Sequence, residues 1–355
     1  MFNTVHIIGS KLSGGAERFY MRLVHALYEQ DKRTYTITRS QSMTSKELNH
    51  DIEQYHAEMR NKWDVLSILK IRRIIKTLSP DIVQTYMTRA TRMTRMRGIR
   101  DIVHVARLGG YYKVPAFSHA DAWIGNTKGI CDYLIREGLP SARVFYIGNF
   151  VDEVKAMADA EKAQLRRQLD IPDDAMVVLG VGRVNAVKGF DVLLDAFASV
   201  NSRISGRSVY LVVIGDGNDL VKLRAKTKQI GLDDNVRWMG WQQSPEQFYQ
   251  LCDLYVSCAR HEPLGNVILE AWSHNKPVLA TRTMGAEELI THGETGWLVP
   301  VEDASLMAKG INELLSNDTL RQQCASKGND LIHARFTKSA IVKEYIGLYS
   351  QLTGK

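Results

Sequence analysis

The chain has 355 residues, more than a single hydrophobic core ordinarily serves, so two domains are expected. Its composition, 45% hydrophobic and 24% charged with 26 glycines and 8 prolines, excludes a disordered or fibrous protein. The net charge of +7 is unevenly placed: residues 1–150 hold 23 Lys and Arg against 13 Asp and Glu, whereas the remainder holds 23 against 26. A basic first half suits an anionic partner such as phospholipid, a phosphorylated glycan or nucleic acid, with a solvated basic surface as the plainer alternative.

No apolar run reaches the roughly 18 residues of a membrane-spanning helix, and the chain opens on the strand-like VHIIG rather than on a basic stretch before an apolar one. A cytoplasmic chain that begins near Met1 is expected. Cys131, Cys252, Cys258 and Cys324 show neither a CxxC pair nor nearby histidines, so reduced thiols are expected rather than a zinc site or a disulfide framework.

In chain order, the first half alternates short apolar runs with helical periodicity: Thr4 to Ile8, Ala16 to Tyr28, Thr34 to Thr38, Trp63 to Leu78, Asp81 to Thr85, Ile102 to Ala106, Ala122 to Gly125 and Val144 to Ile147. Such alternation implies βαβ units and a parallel sheet. Near Asn149 it pauses, and Asp152 to Asp174 suits a linker and one helix. A second series follows: strands at Met176 to Val181, Val209 to Ile214, Val236 to Met239, Leu254 to Ser257 and Pro277 to Thr281, with helices at Phe190 to Val200, Leu220 to Ile230, Pro245 to Gln250 and up to Ser273. The expected organisation is an N-terminal domain over 1–150, a C-terminal domain over 151–337, and a last helix within 338–355 that returns to the first. Two doubly wound sheets bind ligands at the carboxyl ends of their strands, so a cleft between them makes one site from two crevices.

The strongest motif is His261 to Glu270, HEPLGNVILE, directly after the strand-like DLYVSCA. Pro263 and Gly265 break the chain between strand and helix, and a helix N-terminus with a small residue in front of it suits an anion such as a diphosphate. Glu262 and Glu270 stand about 12 Å apart along a helix, a spacing that lets two carboxylates grip hydroxyls at opposite ends of one extended ligand. A second segment, Gly182-Arg183-Val184-Asn185-Ala186-Val187-Lys188-Gly189, also joins a strand to a helix, and its two cations can neutralise a diphosphate.

These segments resemble the E-x7-E and GR-x4-KG motifs of family 4 retaining glycosyltransferases, whose fold is GT-B, two Rossmann-like domains facing a cleft. The resemblance implies that Glu262 holds hydroxyls of the transferred sugar, that Glu270 grips the ribose, and that Leu264, Gly265, Asn266 and Val267 line the donor, with the amides of the last three turned to the diphosphate. It implies that Arg183 and Lys188 stabilise the departing nucleoside diphosphate. Gly14-Gly15-Ala16-Glu17 resembles the family's GGAE loop, which approaches donor phosphates and acceptor, and Trp238 and Met239 stand where the loop that binds the base begins. The glycines around Asp216 match the family's GxG turn and are assigned a structural use. Gly148 to Asp152 looks like the NGVD interdomain segment, and Glu288 with Gly293 to Pro300 looks like the carboxy-terminal signature.

One departure stands out. Where the family often carries a first-domain histidine facing the sugar, the chain reads Ala106 to Tyr112, ARLGGYY, without one. Arg107 or the backbone at Gly109 and Gly110 fills that space, and His104 is assigned to the core. No protein nucleophile is evident and no D-x-D triplet occurs, so the resemblance implies a retaining, metal-independent transfer with no cofactor, the nucleotide sugar (UDP-linked at the level of the family) being a substrate.

For the acceptor, the helix Trp63 to Leu78 carries Lys70, Arg72, Arg73 and Lys76 between apolar residues, and Arg89, Arg92, Arg95, Arg97 and Arg100 follow within 12 residues. A basic amphipathic helix can rest on an anionic membrane, and an arginine row can hold phosphates. Glu17, Arg107, Gly109, Arg89 and Arg92 are the candidate acceptor residues. The expected activity is transfer of a hexose or N-acetylhexosamine to a lipopolysaccharide core or other lipid-linked glycan. A GT-B sugar-phosphate synthase with a soluble acceptor and a non-catalytic nucleotide-sugar-binding protein are the alternatives. Nucleic-acid binding is set aside, since the basic residues have no interleaved aromatics and form no recognised module.

Overall fold

The structure, a computed structural model, describes residues 2–11, 14–61, 63–99 and 101–355. It divides into two compact units, Met1–Phe150 with Lys338–Lys355, and Val151–Thr337.

The first unit runs β1 (Thr4–Ile8), α1 (Gly15–Gln30), β2 (Thr34–Thr38), α2 (Met43–Glu47), β3 (Gln54–His56), α3 (Val65–Leu78), β4 (Ile82–Tyr86), α4 (Met87–Met93), β5 (Val103–Leu108), β6 (Ala122–Gly125), α5 (Lys128–Arg136) and β7 (Val144–Tyr146). Among the described residues the strands pair in the order β3-β2-β1-β4-β5-β6-β7, all parallel. Helices cover both faces, so β1 and β4 are buried from end to end instead of alternating between core and solvent. Successive residues of β1 feed opposite layers: Val5 and Ile7 pack with Ile71 and Ile75 of α3, and Ile8 packs with Leu23 of α1.

The second unit runs α6 (Asp159–Gln168), β8 (Met176–Val181), α7 (Phe190–Phe197), β9 (Arg203–Ile204), β10 (Arg207–Ile214), α8 (Leu220–Gln229), β11 (Val236–Gly240), α9 (Glu246–Leu251), β12 (Leu254–Ser257), α10 (Asn266–Ser273), β13 (Val278–Thr281), α11 (Met284–Leu289), β14 (Trp297–Val299), α12 (Ala304–Ser316) and α13 (Asp318–Arg335). Its parallel order is β11-β10-β8-β12-β13-β14, with β9 antiparallel on β10. Here too Met176 and Val178 enter one layer while Val177 and Leu179 enter the other.

The chain then rejoins the first unit as α14 (Lys338–Thr353), which packs on α1. A buried hydrogen-bond chain ties it to the sheet. The Tyr349 hydroxyl donates to Gln84 Oε1 (2.8 Å), Gln84 Nε2 donates to Tyr86 Oη (2.6 Å), and Tyr86 lies 2.9 Å from His6 Nδ1.

Both halves are Rossmann-like α/β sheets. The strands expected at Thr4 to Ile8, Thr34 to Thr38, Ala122 to Gly125, Met176 to Val181 and Leu254 to Ser257 have those bounds. The helix expected from Trp63 begins at Val65, because Asp64 caps it by accepting from the Ser67 amide at 3.0 Å. The elements α2, β3, α4, α5, β9, α11, β14, α12 and α13 have no counterpart among the strands and helices expected from the sequence. Arg100 of the arginine row lies outside the described residues. Among the described residues no helix is long and apolar enough to cross a membrane.

Candidate functional site

In the second unit, the motif residues gather at the carboxyl edge of the sheet, where ligands of such sheets bind. Strands β8 and β12 are neighbours, so the loops that follow them meet. Asn185 turns the first loop by accepting from the Lys188 amide at 3.2 Å, and Gly189 then adopts φ +68 to start α7. That glycine lies flat against the second loop: a Cβ there would overlap the carbonyl oxygen of Cys258. Across this junction Lys188 Nζ forms an ion pair with Glu262 Oε2, with 28% and 15% of the two side chains exposed. The stem of Lys188 runs past Gly182. Arg183 is exposed, and among the described residues its guanidinium makes no hydrogen bond or ion pair.

Gly265 has φ +87 and caps α10, its carbonyl accepting from the Ile268 amide at 2.8 Å. Gly265 immediately precedes α10, so the electropositive end of that helix follows directly on the loop that carries Glu262. Glu270 lies one helical turn further on and accepts from the buried Tyr249 hydroxyl at 3.0 Å. Tyr249 is stacked on His274, and burial with the adjacent Glu270 carboxylate holds its hydroxyl protonated, well above the usual tyrosine range. Arg260 was not singled out in the sequence. It clamps the second loop to α7 through two 2.8 Å bonds to Asp191 and one of 2.7 Å to Glu302.

Three other motif segments have their own packing. Glycines 215 and 217 press on the backbone of residues 182–184, where any Cβ would collide, so they shape the Arg183 loop by close approach. Trp238 turns its indole N–H inward to Thr227 (2.9 Å), and Met239 packs on the opposite core layer. Gly14 leads into α1, and a Cβ there would stand 3.0 Å from Glu17 Oε2.

The first unit has a cavity of about 750 Å³ at the carboxyl ends of β1, β2 and β4. Glu17, Arg89 and Arg92 line it with Tyr86, Met87 and Tyr112. Arg89 crosses Gly9 and donates to the Met59 carbonyl at 3.1 Å. Lys11, Arg39 and Arg60 also line it, though the sequence offered no signal for them beyond the general basic excess.

The remaining acceptor candidates are placed differently. Arg107 is 3% exposed and is a structural residue. Its Nε donates to the Tyr345 hydroxyl of α14 at 2.7 Å, its Nη2 donates to Asn149, and its guanidinium lies 4.0 Å from the Phe19 ring centre. Gly109 stands against Asn126 and is not among the lining residues. Arg95 and Arg97 belong to a loop whose carbonyls accept from Arg72 at 2.9 and 2.7 Å, away from the cavity. His104 is buried against Thr85, with its pKa lowered to about 3, a neutral core residue.

Two Rossmann-like sheets, the second bearing paired motif loops at its carboxyl edge, define an α/β protein of the GT-B class. Residues 161–330 match the family model described as glycosyl transferases group 1, and residues 13–155 match that described as Glycosyltransferase Family 4. The lipopolysaccharide core biosynthesis glycosyltransferase LpsE of Rhizobium meliloti is 31% identical over 338 residues, 94% of this chain and 95% of the relative. LpsD of the same organism, described in the same words, is 30% identical over 349 residues, 96% of each. Anabaena HepE, solved in complex with UDP-glucose, has the same fold, with a TM-score of 0.87 over 99% of this chain and 100% of that one at 20% identity. The chain belongs to this glycosyltransferase family.

Proposed function

We propose that the chain transfers a hexose or N-acetylhexosamine, with retention of configuration, from a UDP-linked sugar to a lipopolysaccharide core or other lipid-linked glycan. The observation that carries this reading is the Lys188–Glu262 pair between the loops after β8 and β12, which brings a cation for a diphosphate and a carboxylate for sugar hydroxyls to one point. The family and the names of the two Rhizobium relatives support the acceptor class, and the UDP-glucose complex of HepE supports the donor.

In this reading the second unit holds the donor. Arg183, Lys188 and the first amides of α10 take up the charge that grows on the diphosphate as the glycosidic bond breaks, and a preorganised set of such donors is the main source of rate. Glu262 orients the sugar and Glu270 the ribose, with Trp238 and Met239 near the base. The acceptor hydroxyl attacks from the face the diphosphate leaves, and a diphosphate oxygen takes its proton, so the step uses no protein nucleophile. Two protein cations serve the leaving group, so no divalent metal is assigned and activity is expected to persist in EDTA.

The first unit receives the acceptor through Glu17, Arg89 and Arg92, and Gly14 and Gly15 are assigned to the donor phosphates. On α3, Leu66 and Leu69 are 80% and 57% exposed next to Trp63, Lys70, Arg73 and Lys76. This apolar and basic face is assigned to an anionic membrane, at the inner surface of the cell membrane where lipid-linked acceptors are presented.

Thermal-shift screening of nucleotide sugars identifies the donor, because a ligand that binds only the folded state raises its melting temperature. Transfer to deacylated core oligosaccharide then tests the reaction, and NMR coupling of the new anomeric proton reports its configuration. An inverted product would end the retaining assignment, and full activity in Lys188→Ala would end the site assignment. Leu66→Asp with Leu69→Asp is expected to abolish salt-sensitive co-sedimentation with phosphatidylglycerol vesicles; unchanged binding removes the membrane face.

A further inference from the structure

The cavity in the first unit holds an arrangement that protein chemistry alone leaves unbalanced. Arg39, directly after β2, is 6% exposed and lines this cavity. Its Nε is fully buried without a partner, and among the described residues its guanidinium forms no hydrogen bond or ion pair. An unpaired buried cation is costly, and proteins ordinarily supply it with a carboxylate. Glu58 and Asp64 are near enough to favour the Arg39 charge but neither bonds to it, and Arg89 and Arg60 oppose it. Along the cavity wall the balance is basic: Lys11, Arg60, Arg89 and Arg92 line it, and Glu17 is the one acid among its described lining residues. Burial and the charge of Arg89 together hold the Arg39 pKa below its ordinary value. Arg92 also makes no hydrogen bond or ion pair among the described residues. Met87, at the cavity wall, has φ +63, a conformation that unbranched bulky residues seldom adopt and that clusters at functional sites.

We propose that this cavity binds a phosphate ester on a sugar of the acceptor, with Arg39 as the desolvated anchor and Arg60, Arg89 and Arg92 around it. The assignment rests on the acceptor-side reading of the first unit. A carboxylate has two oxygens, which one guanidinium fork satisfies; a phosphate brings close to two charges and three acceptor oxygens, matching several forks converging on one space. Glu17 and Tyr112 are left to meet hydroxyls of the phosphorylated sugar, and about 750 Å³ accommodates such a unit.

The test titrates the full-length protein by calorimetry with glucose 6-phosphate, glucuronate and glucose, and separately with UDP. Glucose 6-phosphate is expected to bind at least about tenfold more tightly than glucuronate, with no heat from glucose. Arg39→Met and Arg60→Gln are each expected to weaken it about tenfold or more while UDP binding is unchanged. Should Arg39→Met lose UDP binding as well, it has misfolded and the exposed Arg60→Gln decides. Equal affinity for glucuronate, or binding insensitive to the variants, overturns the phosphate site. Transfer to core oligosaccharide before and after phosphatase treatment separates the two readings. Phosphate binding with equal kcat/KM for both acceptors cuts the site's link to the acceptor. Phosphate-independent transfer without sugar-phosphate binding overturns the site and leaves the transferase standing.

Discussion

Lys188 and Glu262, 74 positions apart in the chain, form an ion pair where the loops after β8 and β12 meet. If the pair serves the donor, each residue needs the other, since removing one leaves a half-buried charge in a changed site. Lys188→Ala is expected to lower kcat by about 10²–10³. Adding Glu262→Ala to it should cost much less than the two single losses combined, the behaviour of residues that act as a unit. Steady-state kinetics of the four proteins checks this, and additive losses would mean that the two act separately.

Gly189 and Gly206 are both left-handed, at φ +68 and +80, but only Gly189 lies against backbone, that of Cys258. Gly206→Ala should cost the conformational term alone, about 1–2 kcal/mol. Gly189→Ala must also push the Lys188 turn off the second loop. Its expected signature is a loss of UDP affinity that Gly206→Ala does not share, read by calorimetry on both variants.

Arg107 joins β5 to Tyr345 of α14 and to Asn149. Truncation to Ala leaves buried polar partners unsatisfied and frees the last helix, so Arg107→Ala should destabilise the protein by about 2–4 kcal/mol. Urea unfolding would show it as a lower midpoint. A variant as stable as the parent would contradict the structural role.

Burial lowers the pKa of His6 and of His104 to about 3. Between the usual histidine value of 6.5 and 3, the unfolded chain binds protons that the folded chain refuses, so stability is lost as pH falls through that window and is insensitive to these groups above it. Each histidine contributes a slope of about 1.4 kcal/mol per pH unit there. His104→Gln should flatten the dependence of the urea midpoint between pH 6 and 4, and an unchanged slope would show that His104 takes up its proton while folded.

The strand-turn-helix segments carrying Arg183, Lys188, Glu262 and Glu270 were legible along the chain because each is a local device: an apolar run, a glycine that permits the turn, and the helix start that follows. The alternation of strands and helices likewise announced two parallel sheets. The helix α13 escaped because it is polar through most of its length and lies in a stretch without a following strand to frame it. What tertiary structure decided were relations between distant segments. Arg107 reads as a polar residue at the end of a strand, yet it is buried because α14, more than 200 residues later, closes over it. Arg39, Arg60 and Arg89 line one cavity because β3, β2, β1 and β4 stand side by side, an order that no local pattern specifies. Propensity and periodicity act over a few residues, whereas burial and charge pairing depend on which strand ends become neighbours in the folded sheet.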